Sequence, residues 1–271
     1  SLIQCAMFVS GIVTLIQCYP VGPIGAKLPI VMGTSFGFVP AATAIGTKYG
    51  IQGILGACLV GAIFQMLVGG VVLKHIRKYF PPVVTGIVVL TMGISLLPTG
   101  VNYFAGGVGA SDFASPSNLL LGTIVLITVI FFKQYTKGML SISSVLIGLV
   151  VGYIVAIPMG KIDFSSLSQA PLLSVPVPFK LGFAFHIYMV STVETIGDIT
   201  AITNSGLNRE AKEKEIIGGV LADGLGSLMG AIFNVLPNTS FGQNVGIVSM
   251  TKIVKRFVVA TGACILILAG I

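Results

Sequence analysis

The chain has 271 residues, 55% of them hydrophobic and 8% charged, with a mean hydropathy of +1.03. Soluble domains carry about 25% charge, so this composition excludes a protein whose main solvent is water. The formal net charge of +7 is spread over short loops between apolar runs, which argues against a nucleic-acid partner. Cys5, Cys18, Cys58 and Cys264 show no CxxC spacing, and His75 and His186 stand apart, so neither a metal centre nor a cofactor is expected.

A bilayer core of about 30 Å takes roughly 20 apolar residues per helix, and only helices or closed barrels satisfy every backbone group in lipid. Strict two-residue alternation is missing, and the run Gly53 to Leu73 reads as apolar on every face. The expected fold class is therefore an all-α polytopic membrane protein. In chain order its spans are expected at 2–18, 28–46, 51–73, 82–99, 118–132, 139–158, 181–203, 216–234, 236–250 and 253–271.

Assigning alternate loops to opposite sides sorts all 15 basic residues. One side collects Lys27, Lys74, Arg77, Lys78, Lys133, Lys137, Arg209, Lys212, Lys214, Lys252, Lys255 and Arg256; the other holds only Lys48, Lys161 and Lys180. Lys and Arg accumulate on the cytoplasmic side, so the richer side is read as cytoplasmic and the location as the cell membrane. The polar connections Gly100 to Ser117 and Gly160 to Phe179 then lie outside, and the mixed-charge segment Arg209 to Glu215 is a solvated cytoplasmic turn. Ser1 opens directly into apolar sequence and Ile271 stops inside another apolar run, so a fragment of a longer protein is expected.

Thr34-Ser-Phe-Gly37 recurs as Thr239-Ser-Phe-Gly242, a shift of 205 residues. Thr47-Lys48 answers to Thr251-Lys252 at a shift of 204, and Gly56-Ala-Cys58 to Gly262-Ala-Cys264 at 206. The span count offsets the copies by seven, an odd number, so they enter the membrane in opposite senses, as inverted repeats do. Both Thr-Ser-Phe-Gly segments sit in short spans interrupted by Pro40 or Pro237. Such breaks point to a binding site at the bilayer midplane, because a half-helix starting after each one aims free N–H groups at a ligand. The competing reading is a pair of ordinary kinks packed against their neighbours.

Three acids lie inside spans: Glu194, Asp198 and Asp223. A carboxylate at a span centre costs about 2.5 to 3.5 kcal/mol on insertion scales and marks a pathway or proton relay by default. Glu194 and Asp198 are four apart and share a helical face, which suits groups that take up and release a proton at one cavity. The alternative is acids that only hydrogen-bond neighbouring helices. Immediately after the second break, Gln243 and Asn244 offer paired amide donors and acceptors, suited to a flat ring whose edge alternates N–H and C=O. Glu194 can accept N–H groups from another edge, and Phe36 or Phe241 can stack on the face; the amides can equally serve as caps for the broken helix. No Lys or Arg lies in a span interior, which disfavours a site built mainly for an inorganic anion.

At these residues the chain resembles the nucleobase-ascorbate transporter family, in its bacterial xanthine and uric acid permease branch. The family signature of Gln or Glu, then Asn, any residue, Gly, four residues and Thr is matched by Gln243-Asn-Val-Gly-Ile-Val-Ser-Met-Thr251 and followed by Lys252. Glu194-Thr-Ile-Gly-Asp198, Ala222-Asp-Gly224, Gly25-Ala-Lys-Leu-Pro29 and Phe80-Pro-Pro-Val-Val-Thr-Gly86 also look like family sequence.

The resemblance implies fourteen helices in two inverted seven-helix repeats, with short strands in two broken helices crossing at the site. It implies a core domain from residues 1–80 and 179–271, a gate domain from 81–178, and a homodimer. It implies that Glu194 and Gln243 hold the purine, that Ser35 and Phe36 line the opposing broken span, and that Asn244 supports the site. Asp198 and Asp223 then serve structure or proton coupling, and Gln at 243 favours an oxidised purine, xanthine or urate. By the same comparison the first helix with its Gln-His pair and the last three helices are missing, and the stretch from Pro178 to Glu194 is shortened. The expected function is proton symport of the purine into the cell; the alternatives are a permease for uracil or another nucleobase, an anion exchanger of the same architecture, a channel and, last, a membrane enzyme.

Overall fold

Helix α1 (Leu2–Cys18) spans its apolar run end to end and buries one stripe, including Val9, Val13, Thr14 and Gln17. The structure is a computed structural model that describes residues 2–73, 82–162, 175–184 and 193–271. After α1 come strand β1 (Met32–Thr34), a 3-10 turn (Phe36–Phe38) and helix α2 (Val39–Leu67), which continues into a π-helical turn, Val68–Val72. Then follow α3 (Pro82–Phe104), α4 (Pro116–Tyr135), α5 (Met139–Ile142), α6 (Ser144–Ala156), α7 (Val193–Leu207), α8 (Glu213–Ile232), β2 (Asn238–Ser240), α9 (Gly242–Thr251) and α10 (Arg256–Ala269). Among the described residues three helices are long and apolar enough to cross a membrane, Ala41–Val71, Pro116–Tyr135 and Glu213–Ile232, with shorter apolar helices at α1, α6 and α10. The all-α polytopic expectation is met.

The chain divides into two compact units, one of residues 1–94 and 173–271 and one of residues 95–172. In the first, β1 and β2 pair antiparallel with Met32 opposite Ser240, Gly33 opposite Thr239 and Thr34 opposite Asn238. Shifting Gly33 forward by 205 gives Asn238, and shifting Thr239 back by 205 gives Thr34, so one observed pair maps onto the next. An antiparallel ladder between two copies related by a constant shift is carried onto itself, so the pairing is compatible with a two-fold axis relating the two sequence copies. The helices obey the same relation: α1 packs chiefly on α10, and α8 on α2.

Apolar burial drives little association between helices inside lipid, so close backbone approach through small residues does more. A Cβ placed on Gly11 of α1 would lie 2.6 Å from the Ala263 carbonyl oxygen of α10, and one on Gly224 of α8 would lie 2.5 Å from the Met66 side chain of α2.

The expected break between the spans at 28–46 and 51–73 is present: α2 is two helical segments that meet in a kink at Gly50, whose φ of 65° and ψ of −171° are open to glycine. The same shift of 205 places Lys255, in the gap between α9 and α10, at that break. The run Gly53 to Leu73 is not apolar on every face, because Gln65 lies within it, 1% exposed. Helix α3 also runs through Pro98 to Phe104, so the external connection starts five residues later than expected.

In the second unit α4 packs on α6, where a Cβ on Gly148 would meet the Val129 side chain at 2.3 Å. Ser115 caps α4 by accepting the Asn118 N–H at 3.3 Å, with Pro116 at the first helical position. Asn118 Nδ2 donates to the Ala105 and Asp112 carbonyls at 3.3 and 2.9 Å, folding the connection back on the helix. Among the described residues only 6% of the α4 span is buried.

Candidate functional site

Each strand is held by a hydroxyl on the helix that precedes it. Thr14 Oγ1 on α1 accepts the Met32 N–H at 2.9 Å and donates to the Met32 carbonyl at 3.4 Å. Ser227 Oγ on α8 accepts the Asn238 N–H at 3.1 Å and donates to the Asn238 carbonyl at 2.9 Å. A strand within a membrane protein has backbone groups that water cannot reach, and each clamp satisfies two of them at the first strand residue.

Beyond each strand the chain re-enters a helix. After β1, Ser35 Oγ accepts the Gly37 N–H at 3.1 Å, so Ser35 closes the 3-10 turn locally. After β2, the Phe241 N–H donates to the Val31 carbonyl at 2.9 Å, and the Phe241 ring covers Gly33, where a Cβ would lie 2.3 Å from it. Gly33 is therefore required by a close approach rather than by a turn. Helix α9 begins at Gly242, as the expected half-helix does, so Gln243 and Asn244 fall in its first turn. Asn244, 8% exposed, donates through Nδ2 to the Pro29 carbonyl at 2.7 Å, joining the chain before β1 to the helix after β2.

Two acids approach β2. Asp198 on α7 accepts the Ser240 hydroxyl on Oδ2 at 2.7 Å, and its Oδ1 would lie 3.6 Å from a Cβ on Gly242, beside the start of α9. Asp223 on α8, 1% exposed, accepts Gln65 Nε2 at 2.6 Å and Thr195 Oγ1 at 2.7 Å on the same oxygen. Thr195 Oγ1 stands 3.2 Å from Thr239 Oγ1. A hydroxyl has one proton to give, so while Thr195 donates to Asp223 it accepts from Thr239. A connected file thus runs from Gln65 on α2 through Asp223 and Thr195 to the middle of β2.

The structure brings Asp198, Asp223, Asn244, Ser35 and Phe241 around the strand pair. Glu194 is the second residue of α7, Gln243 the second of α9, and Phe36 opens the 3-10 turn; the side chains of these three lie outside the described residues, as do 185–192, where part of the shortened stretch was expected. Sequence reading missed Thr14, Gln65, Thr195 and Ser227. Its available signal was a polar side chain within an apolar run, weaker than an acid because membrane helices often tolerate hydroxyls bonded to their own backbone. An apolar cavity of about 500 Å³ opens beside Thr34, lined also by Val39, Thr43 and Leu55; none of the residues expected to hold the ligand is among its described walls. No cluster of His, Cys, Asp and Glu fit for a metal is found among the described residues.

Two strand-broken spans paired antiparallel, with buried acids bonded to one strand, define a polytopic membrane protein built on interrupted helices. A family model described as a permease family matches residues 1–271. The chain belongs to that family, the nucleobase-ascorbate transporters, and is a multi-pass protein of the cell membrane. It is 35% identical to a xanthine permease of Bacillus subtilis, 36% to the uric acid permease PucJ of the same organism and 36% to the xanthine permease XanQ of Escherichia coli. Each match covers 100% of this chain and 63 to 64% of the relative, so the chain spans less than two thirds of their length. The transmembrane domain of the cyanobacterial bicarbonate transporter BicA aligns over 99% of this chain and 78% of its own, with a TM-score of 0.54 at 17% identity, a likeness of fold alone.

Proposed function

We propose that this chain is the larger part of a proton-coupled symporter that carries an oxidised purine, xanthine or urate, into the cell. The observation that carries the reading is the linkage of two buried acids to β2: Asp198 through Ser240, and Asp223 through Thr195 and Thr239. The strand they hold leads directly into the helix turn bearing Gln243 and Asn244. A change of charge at either acid alters the hydrogen bonds of the element that presents the amides, which is the connection symport needs between proton and cargo. In this reading Glu194 and Gln243 bind opposite edges of the purine, Phe36 and Phe241 flank its face, and Ser35 and Asn244 fix the two broken spans. Residues 1–80 and 179–271 form the core and 81–178 the gate, in a homodimer. The names of the relatives support a purine as cargo.

The test is uptake of radiolabelled xanthine and urate by cells expressing the full gene product. Saturable uptake that a protonophore abolishes, and that xanthine or urate displaces better than uracil, is expected. Uptake indifferent to the protonophore removes the proton from the scheme, and sulfate or bicarbonate transport without purine competition replaces the cargo. Glu194→Ala and Gln243→Ala are expected to abolish purine binding, since each leaves polar groups of the ligand unpaired.

A further inference from the structure

Away from the strand crossing, a cavity of about 970 Å³ lies between the connection that follows α1 and the first turns of α8. Lys27, Lys212 and Lys214 line it together with the apolar Ile217, Leu221 and Gly70. Two acids share the mouth. Glu215 is already committed, because Arg209 binds both its oxygens at 2.6 and 2.8 Å and the Lys212 N–H adds a bond at 2.8 Å. Glu213 is exposed, so three lysines face one uncommitted carboxylate.

The mouth is held in place by its own backbone. The Gly25 N–H donates to the Gly218 carbonyl at 2.8 Å, and a Cβ on Gly218 would lie 2.2 Å from the Gly25 carbonyl oxygen. Gln17 accepts the Ala26 N–H at 2.8 Å and donates to the Gly219 carbonyl at 3.3 Å. Lys27, in the left-handed region at φ 60°, therefore projects from a loop fastened to the helix that carries the other two lysines. From Lys212 to Leu221 the cavity follows α8 for about 13 Å, at 1.5 Å per residue. A small soluble anion would use only the lysines of this lining; a molecule with an anionic head and an apolar tail matches the lysines and the apolar residues together.

We propose that this cavity seats an anionic phospholipid of the cytoplasmic leaflet, its phosphate between Lys27, Lys212 and Lys214 and its acyl chain along Ile217 and Leu221. Basic pockets on the cytoplasmic side of membrane helices suit such headgroups, and all three lysines belong to the side that the loop charges mark as cytoplasmic.

Native mass spectrometry of the purified full gene product tests this, with phosphatidylglycerol and phosphatidylcholine of identical chains offered in turn. One phosphatidylglycerol is expected to stay bound under activation that strips phosphatidylcholine. The variant carrying Lys27→Gln, Lys212→Gln and Lys214→Gln is expected to weaken that binding by about tenfold or more. These lysines are exposed, so the variant is expected to melt with the parent protein. Ile217→Trp crowds the apolar lining while keeping all three charges, and is expected to weaken lipid binding as well. Equal retention of the two lipids, or unchanged retention in the triple-lysine variant, overturns the proposal. Retention untouched by Ile217→Trp together with displacement of the lipid by inorganic phosphate also overturns it, leaving an anion site without a lipid.

Discussion

Thr195 and Asp223 meet across α7 and α8, hydroxyl to carboxylate at 2.7 Å, and the same hydroxyl reaches Thr239 on β2. Thr195→Val keeps the volume and removes both bonds. The expected loss lies between about 0.6 kcal/mol, the average for a hydrogen bond inside a membrane protein, and about 3 kcal/mol, the upper figure for a bond to a charged group. Thermal unfolding in detergent measures it, and a double-mutant cycle with Asp223→Asn is expected to show non-additivity. Simple addition of the two losses would mean that the pair does not act as a unit.

Gly33→Ala puts a methyl 2.3 Å from the Phe241 ring. Overpacking of this kind costs about 1 to 3 kcal/mol, and the ring must leave its place over β1. Combining Gly33→Ala with Phe241→Leu is expected to recover most of the melting temperature but not purine binding, so the two readouts separate the packing role of Phe241 from its proposed stacking role.

Asn244→Ala leaves the Pro29 carbonyl without its 2.7 Å donor, at a cost of about 1 to 3 kcal/mol for a buried group. Asn244→Asp is expected to be worse although it is closer in shape, because an ionised carboxylate presents an acceptor to an acceptor. Melting temperatures in the order parent, Ala, Asp check this; the reverse order of the two variants would show that the donated bond is not what Asn244 supplies.

Asp112 lies in the second unit, where a hydrogen bond and ion pair from Lys161 hold its carboxyl below the ordinary aspartate range. A lowered folded value means that the pair's contribution is present above the unfolded pKa of about 3.9 and is lost as pH falls through the folded one. Asp112→Asn is thus expected to lower the melting temperature slightly at pH 7 and pH 5 alike, with the difference from the parent vanishing only in stronger acid. Both side chains are partly exposed, at 26% and 44%, so 1 M salt is expected to shrink the difference too.

Ser227→Ala and Thr14→Val remove the two strand clamps. Each leaves one backbone N–H and one carbonyl without their hydroxyl partner, so the two losses are expected to be alike, each about 1 to 3 kcal/mol. A large loss from one and none from the other, read by thermal unfolding, would break the equivalence of the two strands.

Much of this architecture is legible in the sequence. The ends of α1 coincide with its apolar run, and the repeated Thr-Ser-Phe-Gly located both breaks because a helix interruption needs glycine and proline that composition exposes. The acids Asp198 and Asp223 stood out because ionisable groups are costly in lipid. Their partners did not stand out. Gln65 lies 158 residues from Asp223, and Thr195 lies 44 from Thr239; nothing in the local pattern of either helix specifies such distant bonds. The strand register was not legible: the shift of 205 relates the copies but is compatible with any antiparallel register, and the pairing itself depends on how the chain returns.

The ladder's self-equivalence bears on how such a molecule can arise. Because Gly33 opposite Thr239 maps onto Asn238 opposite Thr34, two separate half-length polypeptides meeting in opposite orientations would form the same rungs without a new bond. Gene duplication followed by fusion would then inherit a working junction, leaving each half free to diverge in its side chains.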